Sequence, residues 1–150
     1  MKQNHHNHHH KEKVVVIGGG SGVFPVISAL NNQNLCLNTV IAVSDSGGST
    51  GRLRDEFGFQ AVGDLRQSLA AIAQTPSQNW LRKLLLYRFE KGSGLKGHNL
   101  GNLILTALQD LTGSTSKALN KAENIFRLSG HVLPVTDDKV DLKITYQDGS

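Results

Sequence analysis

Hydrophobic residues first gather at Val14-Val15-Val16-Ile17, four β-branched positions in a row that are halted by glycine. An unbroken apolar run of this length predicts a strand buried on both faces, as in a parallel sheet. Residues 22–32 carry a helical pattern, in which Pro25 is tolerated because it falls in the first turn. Leu37–Val43 (Leu-Asn-Thr-Val-Ile-Ala-Val) predicts a second strand. Strand, helix and strand within about 30 residues make a βαβ unit, and its right-handed crossover sets the two strands parallel.

After a long Gly-rich loop the pattern turns helical for most of residues 63–127. Asp64 is placed to cap a helix with Leu65, Leu69 and Ile72 on one face. Leu81, Leu84, Leu85 and Phe89 predict a second helix. Leu100, Leu103, Ile104, Ala107, Leu108 and Leu111 obey the i, i+3, i+4 rule and predict the most regular of the set. Residues 115–127 predict a fourth. His131–Pro134 and Val140–Tyr146 return to strand character, and the chain closes on Asp148-Gly149-Ser150. Asp-Gly is a hairpin-turn signal that here lacks its second strand. The expectation is therefore an α/β protein: a Rossmann-like parallel sheet with flanking helices, truncated, the N-terminal part of a longer domain. Residues 1–12 read as a disordered tail and 13–150 as the ordered part.

Composition narrows the classes. A chain of 150 residues has room for one core. No apolar run approaches the 18 or more residues of a spanning helix. With Cys36 as the single cysteine, an intrachain disulfide and a multi-cysteine zinc site are excluded, and a reducing compartment is the simplest reading. The formal charge of +4 invites a nucleic-acid reading, but half of it sits in residues 1–13 (Lys2, Lys11 and Lys13 against Glu12). The rest has sparse aromatics with no interleaved basic stripe, so no nucleic-acid partner is expected. His5, His6, His8, His9 and His10 could bind a transition metal, yet a tail or tag with nothing to bury has the same appearance.

Chemistry concentrates in the glycines. Nine of the 16 lie between residues 18 and 63, in clusters that each follow a predicted strand, at the carboxyl edge where open α/β sheets bind ligands. Gly18-Gly19-Gly20-Ser21-Gly22 permits positive φ and lets backbone N–H groups approach a phosphate at the following helix. Val23 breaks the G-x-G-x-x-G spacing and no P-loop lysine follows, so a tight strand-to-helix turn needing small residues is the bland alternative. The second cluster runs Ser44-Asp45-Ser46-Gly47-Gly48-Ser49-Thr50-Gly51-Arg52-Leu53-Arg54-Asp55. Asp45 stands where a Rossmann protein places its ribose carboxylate, and it could equally hold Mg²⁺ between phosphates. Ser49 and Thr50 offer hydroxyls. Of Arg52 and Arg54, two apart, one is expected to face a phosphate while the other pairs with Asp55 or Glu56.

The third constellation, Gly97-His98-Asn99-Leu100-Gly101-Asn102, opens the most regular helix. His98 and Asn102 are spaced i, i+4 and are expected to share a face opposite the leucine stripe, beside an anion-favouring helix start. A cap from Asn99 with a packed histidine is the alternative. No nucleophile lies beside His98. Cys36 reads as core and His131 as structural.

In this order, Gly-Gly-Gly-Ser-Gly at 18–22, Ser-Asp-Ser-Gly-Gly-Ser-Thr-Gly-Arg-Leu-Arg at 44–54, Gly-Asp-Leu-Arg at 63–66, Gly-His-Asn-Leu-Gly-Asn-Leu at 97–103 and Gly-His-Val-Leu-Pro-Val-Thr at 130–136 carry a resemblance. Together they resemble the gluconeogenesis factor (YvcK-like) family, within the CofD-like 2-phospho-L-lactate transferase superfamily, over residues 13–150. The resemblance implies a Rossmann-like fold and a cytoplasmic bacterial protein of about twice this length. It also implies a regulatory protein that binds nucleotides or UDP-sugars and is needed for growth and cell shape on gluconeogenic carbon. The transferase branch instead implies Mg²⁺-dependent transfer of a phospholactyl-type group from a nucleotide-activated donor. Carried onto this chain, Gly18, Gly19, Gly20, Ser21 and Gly22 line the nucleotide phosphates, with Asp45 as acidic ligand or metal contact. Gly47, Gly48, Ser49, Thr50 and Arg52 complete that side, and His98, Asn99 and Asn102 face the nucleotide. Ser46 stands where many relatives carry a second acidic residue, which lowers the charge available for a metal.

Three functions remain in view: a non-enzymatic nucleotide-sugar sensor, the transferase, and an NAD-dependent dehydrogenase. The last is disfavoured by the broken fingerprint at Val23. Oligomeric state is not readable from the chain, and a homo-oligomer stays open.

Overall fold

β1 (Glu12–Gly18) and β2 (Leu35–Ile41) pair in parallel, from Glu12 opposite Leu35 to Gly18 opposite Ile41. β3 (His131–Pro134) adds on the far side of β2, also parallel, giving the order β1-β2-β3. The computed structural model describes residues 11–31, 33–44, 48–141, 143 and 145–147. Between β1 and β2 the chain makes a 3-10 turn at Gly20–Gly22 and then α1 (Val23–Leu30). Between β2 and β3 come α2 (Gly48–Phe57), α3 (Gly63–Ile72), α4 (Asn79–Leu86), α5 (Leu100–Thr112) and α6 (Thr115–Phe126).

The sheet register sorts its side chains. Leu37, Thr39 and Ile41 of β2 lie on one face with Val132 and Pro134 of β3, all buried, under the helices. α3 is the centre of the molecule, with Leu65, Leu69, Ala70, Ala71 and Ile72 wholly buried among α1, α4, α5 and the strands. The opposite face is bare: Val15 is 58% exposed, Ile17 76% and Leu133 45%. This corrects the expectation that the first strand is buried on both sides. An apolar run signals double burial only where helices cover both faces, and the described helices cover one. Consistent with that, Ile17→Thr is expected to change stability by no more than about 0.5 kcal/mol, read from a urea midpoint.

Two helices depart from the pattern. α2 forms inside the segment expected to be a loop; its buried residues Gly51 and Leu53 anchor it, and Gly58, at φ 75, ends it in the left-handed conformation. α4 stops at Leu86, so Phe89 falls outside it, and Leu84 is 47% exposed rather than core. Val140 packs on the core from irregular chain; among the described residues of 140–146 no strand forms. Residues 1–10, and Asp148-Gly149-Ser150 with its expected turn, lie outside the described residues.

Candidate functional site

All three strands deliver their carboxyl ends to one edge. Gly18 O accepts from Ala42 N at 2.8 Å, and Ile41 O accepts from Val135 N at 2.9 Å, which ties the three exits together. At the first exit, packing accounts for Gly18 and Gly19, because a β-carbon would meet Val23 Cγ2 at 2.8 Å or Ala42 Cβ at 2.9 Å. Gly20 and Gly22 have open space there, and Gly20 holds φ 66. Gly20 N donates to Asp64 Oδ2 at 2.6 Å, so the loop's backbone is already directed at an oxyanion. Ser21 is exposed beside it.

Asp64 does not cap α3 as expected. It lies within the first turn, after Val62 at the N-cap, and its side chain is turned to the glycine loop, with Oδ1 accepting from Gln67 Nε2 at 3.3 Å.

At the second exit, Asp45, Ser46 and Gly47 lie outside the described residues. Gly48, Ser49 and Thr50 form the first turn of α2, and their side chains are outside that set too. The two arginines of the cluster part company. Arg52 is exposed and brings Nη2 to 3.9 Å from the point that a β-carbon on Gly97 would occupy. Arg54 is largely buried and pairs with Asp141 at 2.7 Å and with Asp55 at 3.6 Å.

The third constellation is built by a hairpin joining α4 to α5. Phe89 N donates to His98 O and Gly97 N to Phe89 O, both at 2.9 Å, and Arg88 Nη1 donates to Gly97 O at 2.6 Å. Gly97 has φ 85, a value that glycine adopts without strain. Asn99 is the N-cap of α5, its side chain accepting from Asn102 N at 3.2 Å. His98 therefore precedes the helix and does not share a helical face with Asn102; its Nδ1 is buried without a partner among the described residues. Asn102 points inward, its Oδ1 accepting from Arg66 Nε at 2.8 Å, while Arg66 Nη1 donates to Leu85 O at 3.3 Å.

That inward turn corrects the face assigned to α5. Its buried side is Gly101, Asn102, Leu105, Thr106 and Gln109, whereas Leu111 is 81% exposed. Asn102 and Gln109 take the core side because both find a partner there: Asn102 with Arg66, and Gln109 with Thr115 Oγ1 at 3.0 Å.

Burial, and then the neighbouring Arg88, pull the Arg66 guanidinium down to about 10, while Asp64 pulls it back; it remains charged at neutral pH. The third exit is held by Gln60, whose Nε2 donates to Thr136 O at 2.7 Å and also to Asp138 O. Asp137 accepts from Ser116 N at 2.8 Å at the start of α6. Desolvation is the largest single influence and pushes its carboxyl up, but the hydrogen bonds from the Ser116 backbone and side chain and from Ser114, together with Lys117, outweigh it and hold the carboxyl below the usual range.

Asp64, Arg66 and Arg88 were not among the site residues expected from sequence, although Gly-Asp-Leu-Arg at 63–66 was part of the resemblance. Among the described residues no three His, Cys, Asp or Glu side chains group to hold a metal.

A family model described as 2-phospho-L-lactate transferase CofD matches residues 14–150. The chain belongs to the CofD family. It is 43% identical over 113 residues to a protein of Aquifex aeolicus named "Putative gluconeogenesis factor", covering 75% of this chain and 34% of that one. A protein of the same name from Nostoc is 40% identical, covering 86% of this chain and 28% of its own. The "Gluconeogenesis factor" of Bacillus subtilis is 35% identical, covering 86% and 40%. A crystal structure of a UPF0052-family protein from Bacillus halodurans superposes with a TM-score of 0.85 at 33% identity, covering 94% of this chain and 44% of that chain. The chain thus spans less than half of each of these relatives. The superposition bears out the Rossmann-like parallel sheet with flanking helices.

Proposed function

We propose that this CofD-family chain carries the nucleotide site of a gluconeogenesis factor, a cytoplasmic regulatory protein that binds a UDP-sugar without turning it over. In this role it supports growth and cell shape on gluconeogenic carbon. The observation that carries the reading is Gly20 N donating at 2.6 Å to a carboxylate oxygen of Asp64. The loop presents a backbone donor to an oxyanion, and a diphosphate oxygen would take the place that the Asp64 carboxylate holds. Asn99 and Asn102, both buried, cap and buttress α5 behind the site, with His98 and the exposed Arg52 at the same turn. Gly18, Gly19, Ser21 and Gly22 shape the near wall; Asp45, Gly47, Gly48, Ser49 and Thr50 belong to the same edge by sequence.

The family description supports a second reading, a Mg²⁺-dependent transferase of a phospholactyl-type group. Mg²⁺ favours one or two carboxylates together with waters and phosphates. Asp64, next to the glycine loop, is a described carboxylate suited to that duty, and Asp45 is the other candidate.

Calorimetric titration with UDP-N-acetylglucosamine, with GDP and NADH as competitors and with or without Mg²⁺, separates the readings. Saturable UDP-sugar binding without product, weakened about tenfold or more by Gly20→Val, is expected, since a β-branched residue resists the left-handed conformation. Mg²⁺-dependent guanine-nucleotide binding with phospholactyl transfer, lost in Asp45→Asn, would overturn the sensor in favour of the transferase.

A further inference from the structure

The outward side of α4 is apolar where a surface helix is ordinarily polar. Leu85, wholly buried, and Leu81 fasten the helix to the core from one side. On the other, Trp80, Lys83, Leu84 and Tyr87 follow the i, i+3, i+4, i+7 spacing and line one stripe. Trp80 is 74% exposed, and Leu84 and Tyr87 are half-exposed, so three large apolar side chains share one water-facing stripe. The Lys83 ammonium lies over the Trp80 ring, 4.7 Å from its centre. Tyr87 carries the surface on to the hairpin, its ring meeting Phe89 edge to face at 5.1 Å.

The charge of this segment is one-sided. Residues 79–98 hold five of the 16 basic residues and one of the 12 acidic ones, so the rest of the chain balances. Arg82 is taken up over the Phe24 ring, and Arg88 within the hairpin. Setting both aside leaves the exposed Lys83, Lys91 and Lys96 against Glu90, the one acidic residue of the segment. Rings with apolar bodies and polar tips, an aliphatic side chain and lysines with long stems are the set that settles at the headgroup level of a bilayer. The lysines also draw anionic lipid. The stripe stands outward from a helix packed behind, and a convex surface of this kind suits a deformable bilayer better than a peptide helix, which docks in a groove. Among the described residues no helix is long and apolar enough to cross a membrane, so the contact is interfacial.

We propose that the outer face of α4 and the hairpin after it form a docking surface for an anionic lipid bilayer. Trp80, Leu84 and Tyr87 enter the headgroup region, and Lys83, Lys91 and Lys96 meet the lipid phosphates. The surface uses none of the residues of the glycine loops and does not rest on the UDP-sugar reading.

Trp80 is the single tryptophan, so its emission reports on this face directly. The 150-residue chain is titrated with vesicles of phosphatidylcholine containing about one-third phosphatidylglycerol, and with pure phosphatidylcholine, with co-sedimentation measured in parallel. A saturable blue shift of Trp80 and co-sedimentation are expected on the anionic vesicles. Partitioning should be about tenfold or more weaker on the neutral vesicles and at high salt. Trp80→Ala, followed by co-sedimentation, should weaken anionic binding about tenfold or more. Lys91→Glu with Lys96→Glu should do the same while leaving the lipid-free emission of Trp80 unchanged. These side chains are exposed, and a urea midpoint at the wild-type value shows that the variants fold. No blue shift, or binding equal in wild type and either variant, would overturn the proposal. So would a blue shift given by an amphipathic peptide of leucine and glutamate but not by vesicles, which would assign the face to an acidic protein partner. A lipid-free dimer in sedimentation velocity that Leu84→Asp dissociates would overturn it in favour of a second copy of the chain.

Discussion

Gly101→Ala is expected to destabilise the protein by about 3 kcal/mol, although alanine is the better helix former by roughly 1 kcal/mol. The position is inside α5 but pressed against its neighbours. An added β-carbon would lie 2.5 Å from Leu85 O and 2.8–2.9 Å from the Arg66 side chain. The carbonyl belongs to the last residue of α4 but one and cannot swing away as a side chain can. Relief requires α5 to shift from α3 and α4, which loosens the Arg66–Asn102 bond behind the site. The steric term therefore wins over propensity. Urea unfolding should show a lowered midpoint with an unchanged slope, and ligand binding should weaken along with it. A midpoint at or above wild type would mean that α5 has more freedom than this packing permits.

The same contact explains part of what the amino-acid sequence could not convey. Periodicity ranks Leu, Ile and Ala positions and finds the stripe from Leu100 to Leu111, but burial follows partners as well as hydrophobicity. Gly101, Asn102 and Gln109 go inward because Arg66, Thr115 and the backbone of Gln60 receive them. Arg66 and Gln60 are distant in the chain and Thr115 lies beyond the end of α5, so periodicity along α5 does not contain the information. α2 was hidden for the opposite reason. Gly48, Gly51 and the hydroxyl residues disfavour a helix locally, and burial of Leu53 with the Arg54–Asp141 pair comes from distant chain. The glycine at 58, just past the end, was the available signal.

Local chemistry was easier to read. A β-branched run stopped by glycines does form a strand that ends at the carboxyl edge of the sheet, and His131–Pro134 does form a strand beside the second one. The spacing of Arg52 and Arg54 anticipated that they would diverge, and Arg54 does pair with Asp55, but the shorter pairing is with Asp141, 87 positions on by number. Asp64 looked like a cap because an acidic residue at a helix start usually is one. Its use by Gly20 depends on α3 lying against the glycine loop, which is a property of the fold.

Removing the Glu123 side chain, as in Glu123→Ala, should cost about 3 kcal/mol, whereas Glu123→Gln should cost about 1 kcal/mol. Glu123 lies on α6 and is 6% exposed, yet both oxygens are engaged: Oε1 accepts from Val132 N at 2.7 Å and Oε2 meets His131 Nδ1 at 2.9 Å. Val132 is 1% exposed and sits on β3, which has a strand neighbour on one side among the described residues. The carboxylate thus serves an edge N–H that no ladder satisfies, and it fastens α6 to the sheet. Alanine strands that N–H in the core. Glutamine keeps one acceptor for it and can turn its amide to a neutral His131. His131, with its side chain 58% exposed, can exchange Glu123 for water, so His131→Ala should cost no more than about 1 kcal/mol. Unfolding of the four proteins forms a graded series in which alanine at 123 stands apart. Equal losses for Glu123→Gln and Glu123→Ala would place the stabilisation in the charge pair with His131, and not in the hydrogen bond to the strand.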